Sequence, residues 1–223
     1  MPITEEKHGL SACRAFFDFD NTLTYFDVLD DIIERFSVDE RWKDLEEKWL
    51  RGKIGSRACL KGQLECVRIN RKGLLRYLSR VKVSPYFNKL LELFKAKKSQ
   101  PAILSDNFRF IINTILRNNG IKGVKVRANS LKFDKDRLIP SFPHVNSACW
   151  KCAHCKTNNL SKAKKNSKIT IYVGDGFSDI CPAKKADIVF AKGNLLKHFR
   201  KNRLACRQFN DLKEVYDYLK KNI

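Results

Sequence analysis

The sequence contains two pairs of acidic residues, and each pair comes directly after an apolar run. The first pair, Asp18 and Asp20, lies in the segment 17–22 (FDFDNT). Side chains at positions i and i+2 of an extended strand lie on the same face, so these carboxylates point the same way. They repel each other unless a cation such as Mg²⁺ or a proton intervenes. One carboxylate is then suited to attack phosphorus and the other to transfer protons, although a solvated strand end or helix cap is a simpler explanation.

The second pair, Asp175 and Asp179, lies in the segment 173–179 (VGDGFSD). The glycines on both sides of Asp175 permit a tight turn and close approach of the backbone. In an open sheet of parallel strands, ligands bind at the carboxyl ends of the strands. Two acidic pairs at two strand ends are hard to explain as helix caps, and together they favour a metal-dependent phosphate site.

The apolar pattern predicts the elements that position these residues. Helical spacing recurs over 87–94, 108–116 and 212–219. Strands alternating with helices indicate an α/β fold with a Rossmann-like, mainly parallel sheet flanked by helices. The predicted strands are 12–18, 101–104, 124–128, 169–173 and 187–190.

Residues 25–82 interrupt this alternation, because helical spacing recurs there with no strand between the helices. The sequence therefore predicts a small all-helical cap (25–82) inserted after the first strand of an α/β core (1–24 and 83–223). A second irregular region, 133–155, is predicted to hold a hairpin followed by a cysteine cluster.

The acidic motifs resemble those of the haloacid dehalogenase superfamily of phosphatases, whose first motif is DxDxT, over nearly the whole chain. This resemblance implies that Asp18 is the nucleophile and that Asp20 is the general acid and then the general base. Asp18, the backbone carbonyl of Asp20, and Asp175 would bind Mg²⁺, with support from Asp179. Lys156 would steady the nucleophile and the phosphate.

The same resemblance implies phosphate-binding roles for Thr22 and for Ser105, which follows the predicted strand 101–104. The helical insertion would be the cap that excludes water during the first half-reaction. We therefore expect a phosphatase acting on a small phosphorylated metabolite.

A small helical cap after the first motif is similar to the phosphoserine phosphatase branch, but two positions depart from that pattern. Asp27 stands where those enzymes carry the glutamate that holds the substrate amine. Gln63 stands where they carry the arginine that clamps the substrate carboxylate. Glutamine cannot pair with a carboxylate as an arginine fork does, although Arg57 or Arg68 could substitute. Phosphoserine phosphatase activity therefore remains an alternative.

Ser105 is followed by Asp106 and Asn107, where phosphoserine phosphatases usually have glycines. This segment, Cys155-Lys156 and the stretch 174–191 look more like two other groups. One is the methionine-salvage phosphatases acting on a methylthio-keto-pentenyl phosphate, and the other is the phosphoethanolamine/phosphocholine phosphatases. We expect Asp27, Asp106 and Asn107 to lie beside the substrate, where Asp27 and Asp106 suit an amine or hydroxyl groups better than a second carboxylate. Both acids would also be explained as helix caps.

Three cysteines, Cys149, Cys152 and Cys155, form two overlapping C-x-x-C steps. His144 or His154 would be the fourth ligand of a structural Zn²⁺, which needs four nitrogen or sulfur ligands. Zinc ligands usually come as two separated pairs, so reduced thiols lining the wall of the site are the other interpretation.

The composition limits the function classes. Forty-five Lys and Arg residues against 24 Asp and Glu residues give a net charge of +21, and 43% of the 223 residues are hydrophobic. This composition excludes wholesale disorder, and the charge favours anionic partners. A non-enzymatic nucleic-acid binder is therefore the rival class, but no familiar nucleic-acid motif supports it. No segment is long and apolar enough for a membrane span, and residues 1–10 lack the apolar core of a signal peptide, so we expect a cytoplasmic protein with no membrane contact.

Overall fold

The computed structural model describes residues 13–164 and 169–222 and confirms the predicted α/β fold class. Its seven strands pair in the order β4-β3-β2-β1-β5-β6-β7, and among these β4 alone runs antiparallel to its neighbour. The predicted strand 12–18 begins one residue before the described part of the chain. Residues 1–10, on which the expectation of no signal peptide rests, lie outside the described residues. The strands are β1 (Cys13–Phe17), β2 (Ala102–Phe108), β3 (Lys125–Asp134), β4 (Arg137–Ser141), β5 (Ile169–Gly174), β6 (Ile188–Ala191) and β7 (Arg207–Gln208).

Ten α-helices lie in the described residues, and none of them is long and apolar enough to cross a bilayer. One turn of 3₁₀ helix, Phe177–Asp179, precedes the eighth. They are α1 (Val28–Phe36), α2 (Arg41–Leu50), α3 (Ser56–Cys66), α4 (Arg71–Leu78), α5 (Pro85–Ala96), α6 (Arg109–Asn118), α7 (Lys156–Lys164), α8 (Ile180–Ala183), α9 (Gly193–Lys201) and α10 (Leu212–Asn222).

Strand β1 is apolar except for the half-buried Arg14, because both faces of the sheet are covered by helices. On one face Phe17 packs edge to face against Phe87 and Phe94 of α5, with ring centroids 5.4 and 6.3 Å away. On the other face Phe16 belongs to a second apolar cluster with Tyr172 and the helices that follow β5. The two clusters hold β1 rigidly at the centre of the sheet.

The position of β1 also determines where a ligand can bind. Its parallel neighbours are β2 on one side and β5 on the other, so the strand order reverses at β1. The loops that leave β1 and β5 therefore diverge to opposite sides of the sheet and open a crevice at the carboxyl ends.

Helices α1 to α4 follow β1 without an intervening strand, as the apolar spacing predicts. An isolated antiparallel bridge joins Thr24 and Val83 at the two ends of this helical segment. A second bridge joins Ser37 and Val67 inside it. We call residues 25–82 the helical segment below.

The hairpin predicted within 133–155 begins earlier than expected. Strand β3 continues to Asp134, well beyond the predicted end at residue 128, and pairs with β4 from Ser130 to Asp134. This outer part of β3 faces solvent on alternate positions, so it lacks the continuous apolar run by which a buried strand is recognised.

Candidate active site

The carboxyl ends of β1, β2 and β5 border a cavity of about 140 Å³. Asp18 and Asp20 follow β1, Ser105 lies in β2, Asp175 follows β5, and Lys156 begins α7. The helical segment forms the opposite wall. The full lining is Asp18, Asp20, Asp27, Leu29, Asp30, Glu46, Trp49, Ser56, Cys59, Leu60, Gln63, Ser105, Asp106, Asn107, Lys156, Asp175, Gly176, Phe177 and Ser178.

Lys156 is buried at the base of this cavity. Its Nζ donates to Asp18 Oδ1 and Asp179 Oδ1, both at 2.8 Å, and to Ser178 Oγ at 3.0 Å. Burial by itself would lower the pKa of the ammonium group, but the carboxylates of Asp179 and Asp18 raise it, and the net shift is upward. The lysine is therefore a fixed positive charge against the first acidic motif.

Asp18, Asp175 and Asp179 bring carboxylate oxygens within 4.8 Å of one another. Burial and then the charge of Asp179 raise the pKa of Asp18, and the same two causes raise the pKa of Asp175. The charged forms of such a cluster are unstable unless a cation neutralises them. Oxygen-only donors at this spacing fit a hard divalent cation such as Mg²⁺.

Asp179 differs from the other two acids because its oxygens already have donors. Oδ1 accepts from the Tyr172 hydroxyl at 2.6 Å as well as from Lys156. Oδ2 accepts from the backbone amides of Asp175 and Gly176, both at 3.0 Å. Four donors fill its acceptor positions, so Asp179 is placed to orient the site and Asp175 has the freer oxygens.

The glycine before Asp175 is required by this packing. A Cβ at Gly174 would lie 2.5 Å from Asp179 Oδ2 and 3.0 Å from the ring of Tyr172. A larger residue would push Asp179 away from the amides that hold it. This explains in detail the close backbone approach that the sequence predicts.

Asp20 is held by a different set of donors. Asn107 Nδ2 donates to both carboxylate oxygens at 3.0 Å, and the backbone amide of Val28 donates to Oδ1 at 3.1 Å. Burial and then the negative charge of Asp27 raise the pKa of Asp20 well above its ordinary value. A carboxyl group with a raised pKa keeps its proton and suits general acid catalysis.

Two residues expected at the substrate have other partners in the structure. Asn107 directs its amide hydrogens to both carboxylate oxygens of Asp20, so it orients that carboxyl group. Thr22, expected to hold phosphate, donates its hydroxyl hydrogen to Asp175 Oδ1 at 2.7 Å. A hydroxyl has one hydrogen to donate, and here it orients the acid cluster.

Asn21 is a site residue that the sequence reasoning missed. Its Nδ2 donates to Asp175 Oδ2 at 2.9 Å. Its φ of +50° lies in the left-handed region, which asparagine tolerates better than most residues. The sequence feature that could have predicted its role is its position inside the first acidic motif.

Ser105 and Asp106 both line the cavity. Ser105 is buried, and its Oγ accepts from the backbone amide of Asn107 at 3.0 Å. Asp106 Oδ2 accepts from Ser56 Oγ at 3.3 Å, while Oδ1 is buried without a partner among the described residues. Burial raises the pKa of Asp106 to about 6. Asp106 does not cap the next helix, because the N-cap of α6 is Phe108.

Asp27, in contrast, does cap a helix. Its Oδ1 accepts from the backbone amide of Asp30 at 2.9 Å in the first turn of α1. It lines the cavity as well, so the cap and the substrate interpretation are compatible at this position.

Two more acids, Asp30 and Glu46, line the wall that the helical segment contributes, and neither was predicted. Desolvation by the neighbouring side chains, and then the negative charges of Asp27 and Glu46, raise the pKa of Asp30 to about 8, although its side chain is partly exposed to solvent. Gln63, at the position of the carboxylate-clamping arginine of phosphoserine phosphatases, is buried and donates from Nε2 to Glu46 Oε2 at 3.0 Å. It therefore orients the carboxylate of Glu46 in the cavity wall. The sequence feature that could have predicted Asp30 is its position one helical turn after Asp27.

Arg57 and Arg68, the alternatives to the carboxylate-clamping arginine, do not line the cavity. Arg68 donates to the backbone carbonyls of Glu65 and Val67 instead. Lys156 is thus the single basic side chain among the described residues that line the cavity, against seven acids.

The cysteine cluster does not bring three candidate ligands together in the part of the chain that the structure describes. Within the described residues, the acid cluster is the one group of three or more candidate ligands that come together. His144 and His154 stack with ring centroids 4.8 Å apart, and burial and the neighbouring His144 lower the pKa of His154 to about 3. The predicted structural Zn²⁺ at Cys149, Cys152 and Cys155 therefore gains no support.

The sequence resembles those of known phosphatases. A family described as "Putative Phosphatase" matches residues 14–214. The 2-hydroxy-3-keto-5-methylthiopentenyl-1-phosphate phosphatase of Exiguobacterium sibiricum is 25% identical over 92% of this chain and 95% of its own length. The enzyme of the same name from Bacillus mycoides is 23% identical over 93% and 95%.

Solved structures share the fold. A phosphoserine phosphatase with an analogue of the phospho-aspartyl intermediate superposes with a TM-score of 0.69 at 22% identity, covering 92% of this chain and 97% of that one. The phosphoserine phosphatase of T. onnurineus gives 0.68 at 21%, covering 95% and 96%. Both confirm the arrangement of sheet and helices.

Proposed function

The chain belongs to the putative phosphatase family, and from that premise we propose that it is a magnesium-dependent phosphomonoesterase that works through an aspartyl-phosphate on Asp18. One observation carries the proposal: Lys156 holds Asp18 at the end of β1 beside the carboxylates that follow β5. This arrangement presents a nucleophile, a fixed cation and oxygen ligands to one small cavity.

Asp18 and Asp175 would hold Mg²⁺ together with the backbone carbonyl of Asp20, and Asp179 would support them. The bound ion would supply positive charge that offsets the phosphoryl oxygens. Thr22 and Asn21 keep both oxygens of Asp175 in place for this role.

In the first half-reaction, a carboxylate oxygen of Asp18 attacks phosphorus while the bond from phosphorus to the leaving oxygen breaks. Asp20 gives its proton to that leaving oxygen. In the second half-reaction, water attacks the phosphorus of the aspartyl-phosphate and its proton passes to Asp20. The Asp18 carboxylate and inorganic phosphate are released. Asn107 keeps Asp20 aimed throughout.

We assign residues 25–82 to a cap over a core of residues 1–24 and 83–223. The bridge between Thr24 and Val83 supports these boundaries. Helices α1, α2 and α3 contribute Asp30, Glu46 and Ser56 to the cavity wall. A closed wall excludes water while the leaving group is protonated.

The substrate we favour is a small phosphomonoester that carries an amine and no carboxylate. Asp27, Asp30, Glu46 and Asp106 line the cavity beyond the phosphate-binding residues, and Lys156 is engaged by Asp18 and Asp179. A cationic leaving group would relieve the repulsion among these acids, whereas a second carboxylate would increase it. A keto phosphate whose leaving group is uncharged is the second candidate, because the names of the curated relatives specify a substrate of this kind.

A screen of phosphorylated metabolites with Mg²⁺ tests both levels of the proposal. Hydrolysis should stop on chelation and return with Mg²⁺. The kcat/KM for phosphoethanolamine should exceed that for phosphoserine, which differs by one carboxylate. Equal or better activity on phosphoserine would contradict the substrate assignment, and a protein inactive on every phosphomonoester would contradict the enzyme assignment.

Asp106→Ala refines the test. It should reduce the preference for phosphoethanolamine over phosphoserine and leave the turnover of p-nitrophenyl phosphate largely intact. An unchanged preference would show that Asp106 does not contact the leaving group.

A further inference from the structure

Ser56, the first residue of α3, is buried where the helical segment meets the rest of the protein. Its Oγ accepts from the backbone amide of Ala153 at 2.7 Å and donates to Asp106 Oδ2 at 3.3 Å. Its own backbone amide donates to the carbonyl of Lys151 at 2.8 Å. One serine therefore makes three hydrogen bonds outside its own helix.

These bonds reach two parts of the site that are distant along the chain. Ala153 lies three residues before Lys156, and Asp106 directly follows Ser105. The Asp106 and Ala153 contacts span 50 and 97 residues. Ser56 thus joins the wall of the cavity to the loop that presents the lysine and to the end of β2.

The residue before Ser56 is adapted to the same contact. A Cβ at Gly55 would lie 2.3 Å from the carbonyl oxygen of Trp150 and 3.2 Å from that of Lys151. Only glycine lets the start of α3 approach this loop so closely. The pair Gly55-Ser56 therefore provides both the space and the hydrogen bonds for the junction.

We propose that Ser56 is a positioning residue that holds the helical segment closed over the cavity and aims Asp106 into it. The inference rests on the proposed phosphatase function. Without the hydroxyl, the amide of Ala153 and the second oxygen of Asp106 lose their partners, and a buried polar group without a partner is unstable. The junction opens in response, and the phosphate is bound less tightly.

Ser56→Ala tests this with p-nitrophenyl phosphate and Mg²⁺. Losing hydrogen bonds of which one goes to a charged group should raise KM about tenfold, while kcat changes less than about threefold because Lys156 keeps its own partners. A merely structural role would lower the fraction of folded enzyme, which reduces apparent kcat at constant KM. Ser56→Thr, which keeps the oxygen, should restore KM.

Hydrogen exchange gives a readout that does not depend on activity. The amides of Ala153 and Ser56 should exchange faster in Ser56→Ala than in the wild type, with little change in the unfolding temperature. Gly55→Ala should produce the same changes in exchange and KM, because its new Cβ forces the loop away. Combining the two substitutions should add little, since both open one junction.

Ser79→Ala is the matched control, because Ser79 is an exposed serine of the helical segment whose hydroxyl donates to the backbone carbonyl of Arg76, within its own segment. It should leave KM and exchange unchanged. Wild-type KM and exchange in both Ser56→Ala and Gly55→Ala would overturn the proposal. A wild-type protein that hydrolyses no phosphomonoester would instead overturn the proposed function, and the exchange data would still report on the junction.

Discussion

At the residue scale, the proposed chemistry depends first on Asp18. Asp18→Asn should keep the fold, because Lys156 retains Asp179 and Ser178 as partners. It should lower hydrolysis of p-nitrophenyl phosphate by roughly a thousandfold or more, since an amide is neither a nucleophile nor an anionic metal ligand. Stopped assays together with thermal unfolding would separate loss of chemistry from loss of fold.

Asp20→Asn is the matched comparison. It should slow phosphoethanolamine hydrolysis far more than p-nitrophenyl phosphate hydrolysis, because nitrophenolate leaves without a proton from an acid. Near-wild-type turnover in Asp18→Asn would contradict the nucleophile assignment, and equal losses on both substrates in Asp20→Asn would contradict its role as the general acid.

Asp106 gives a prediction about stability and pH. Its pKa is about 6 in the folded protein against an ordinary value of 3.8. Between these values the folded chain keeps a proton that the unfolded chain has released, so this group makes the free energy of unfolding fall as pH rises from 3.8 through about 6. Asp106→Asn should therefore raise the unfolding temperature more at about pH 7.5 than at about pH 4.

The measurement is thermal unfolding in chelator at both pH values, with exposed Asp134→Asn as the control. The control should follow the wild-type pH dependence. A gain in Asp106→Asn that is the same at both pH values would show that ionisation of Asp106 does not destabilise the fold.

Residues inside short motifs were predictable, and residues that depend on packing between segments were not. Asp18 and Asp20 share a strand end, so their two-residue spacing places them together before any tertiary structure is known. Glu46 reaches the cavity only because α2 lies over it. The amphipathic spacing of α2 predicts a helix but not which part of the protein lies beneath it.

At the element scale, the inner strands were recognised, the hairpin of β3 and β4 was predicted too late in the chain, and the edge strand β7 was not predicted. β1 and β5 are covered on both faces and read as apolar runs. β2 continues through the polar residues 105–107, whose side chains have hydrogen-bond partners, although its pairing with β3 becomes irregular between Leu104 and Phe108. β7 has two exposed residues, too few for any periodic signal.

The loop before α7 gives the next prediction. Cys155 and His154 are buried, and they join no cluster of three candidate ligands within the described residues. Protein purified under reducing conditions should carry far less than one zinc per chain by elemental analysis. A strong zinc chelator should leave the unfolding temperature unchanged, because structural zinc would contribute directly to folding.

The triple variant in which Cys149, Cys152 and Cys155 are replaced by serine separates thiols from metal. It should keep the zinc content of the wild type. Stoichiometric zinc in the wild type that disappears in this variant would restore the zinc interpretation.

At the scale of the whole molecule, the net charge of +21 contrasts with a cavity lined by seven acids and one lysine. The positive potential must therefore arise outside the cavity. A surface of this charge attracts polyanions and releases their counterions, so such binding weakens steeply with salt. Catalysis should respond differently, because Asp18 and Lys156 are buried and little screened.

We therefore predict that single-stranded RNA binds this protein at about 20 mM KCl and dissociates by about 300 mM, with no dependence on sequence. The kcat for p-nitrophenyl phosphate should change little over that range. Asp18→Asn should bind RNA like the wild type, because Asp18 is buried and is not part of the charged surface. Fluorescence anisotropy of labelled RNA and parallel turnover assays would measure both quantities. Tight, sequence-dependent RNA binding that persists at high salt would contradict this account and favour a nucleic-acid-binding function, because non-specific attraction between a basic surface and phosphates cannot produce it.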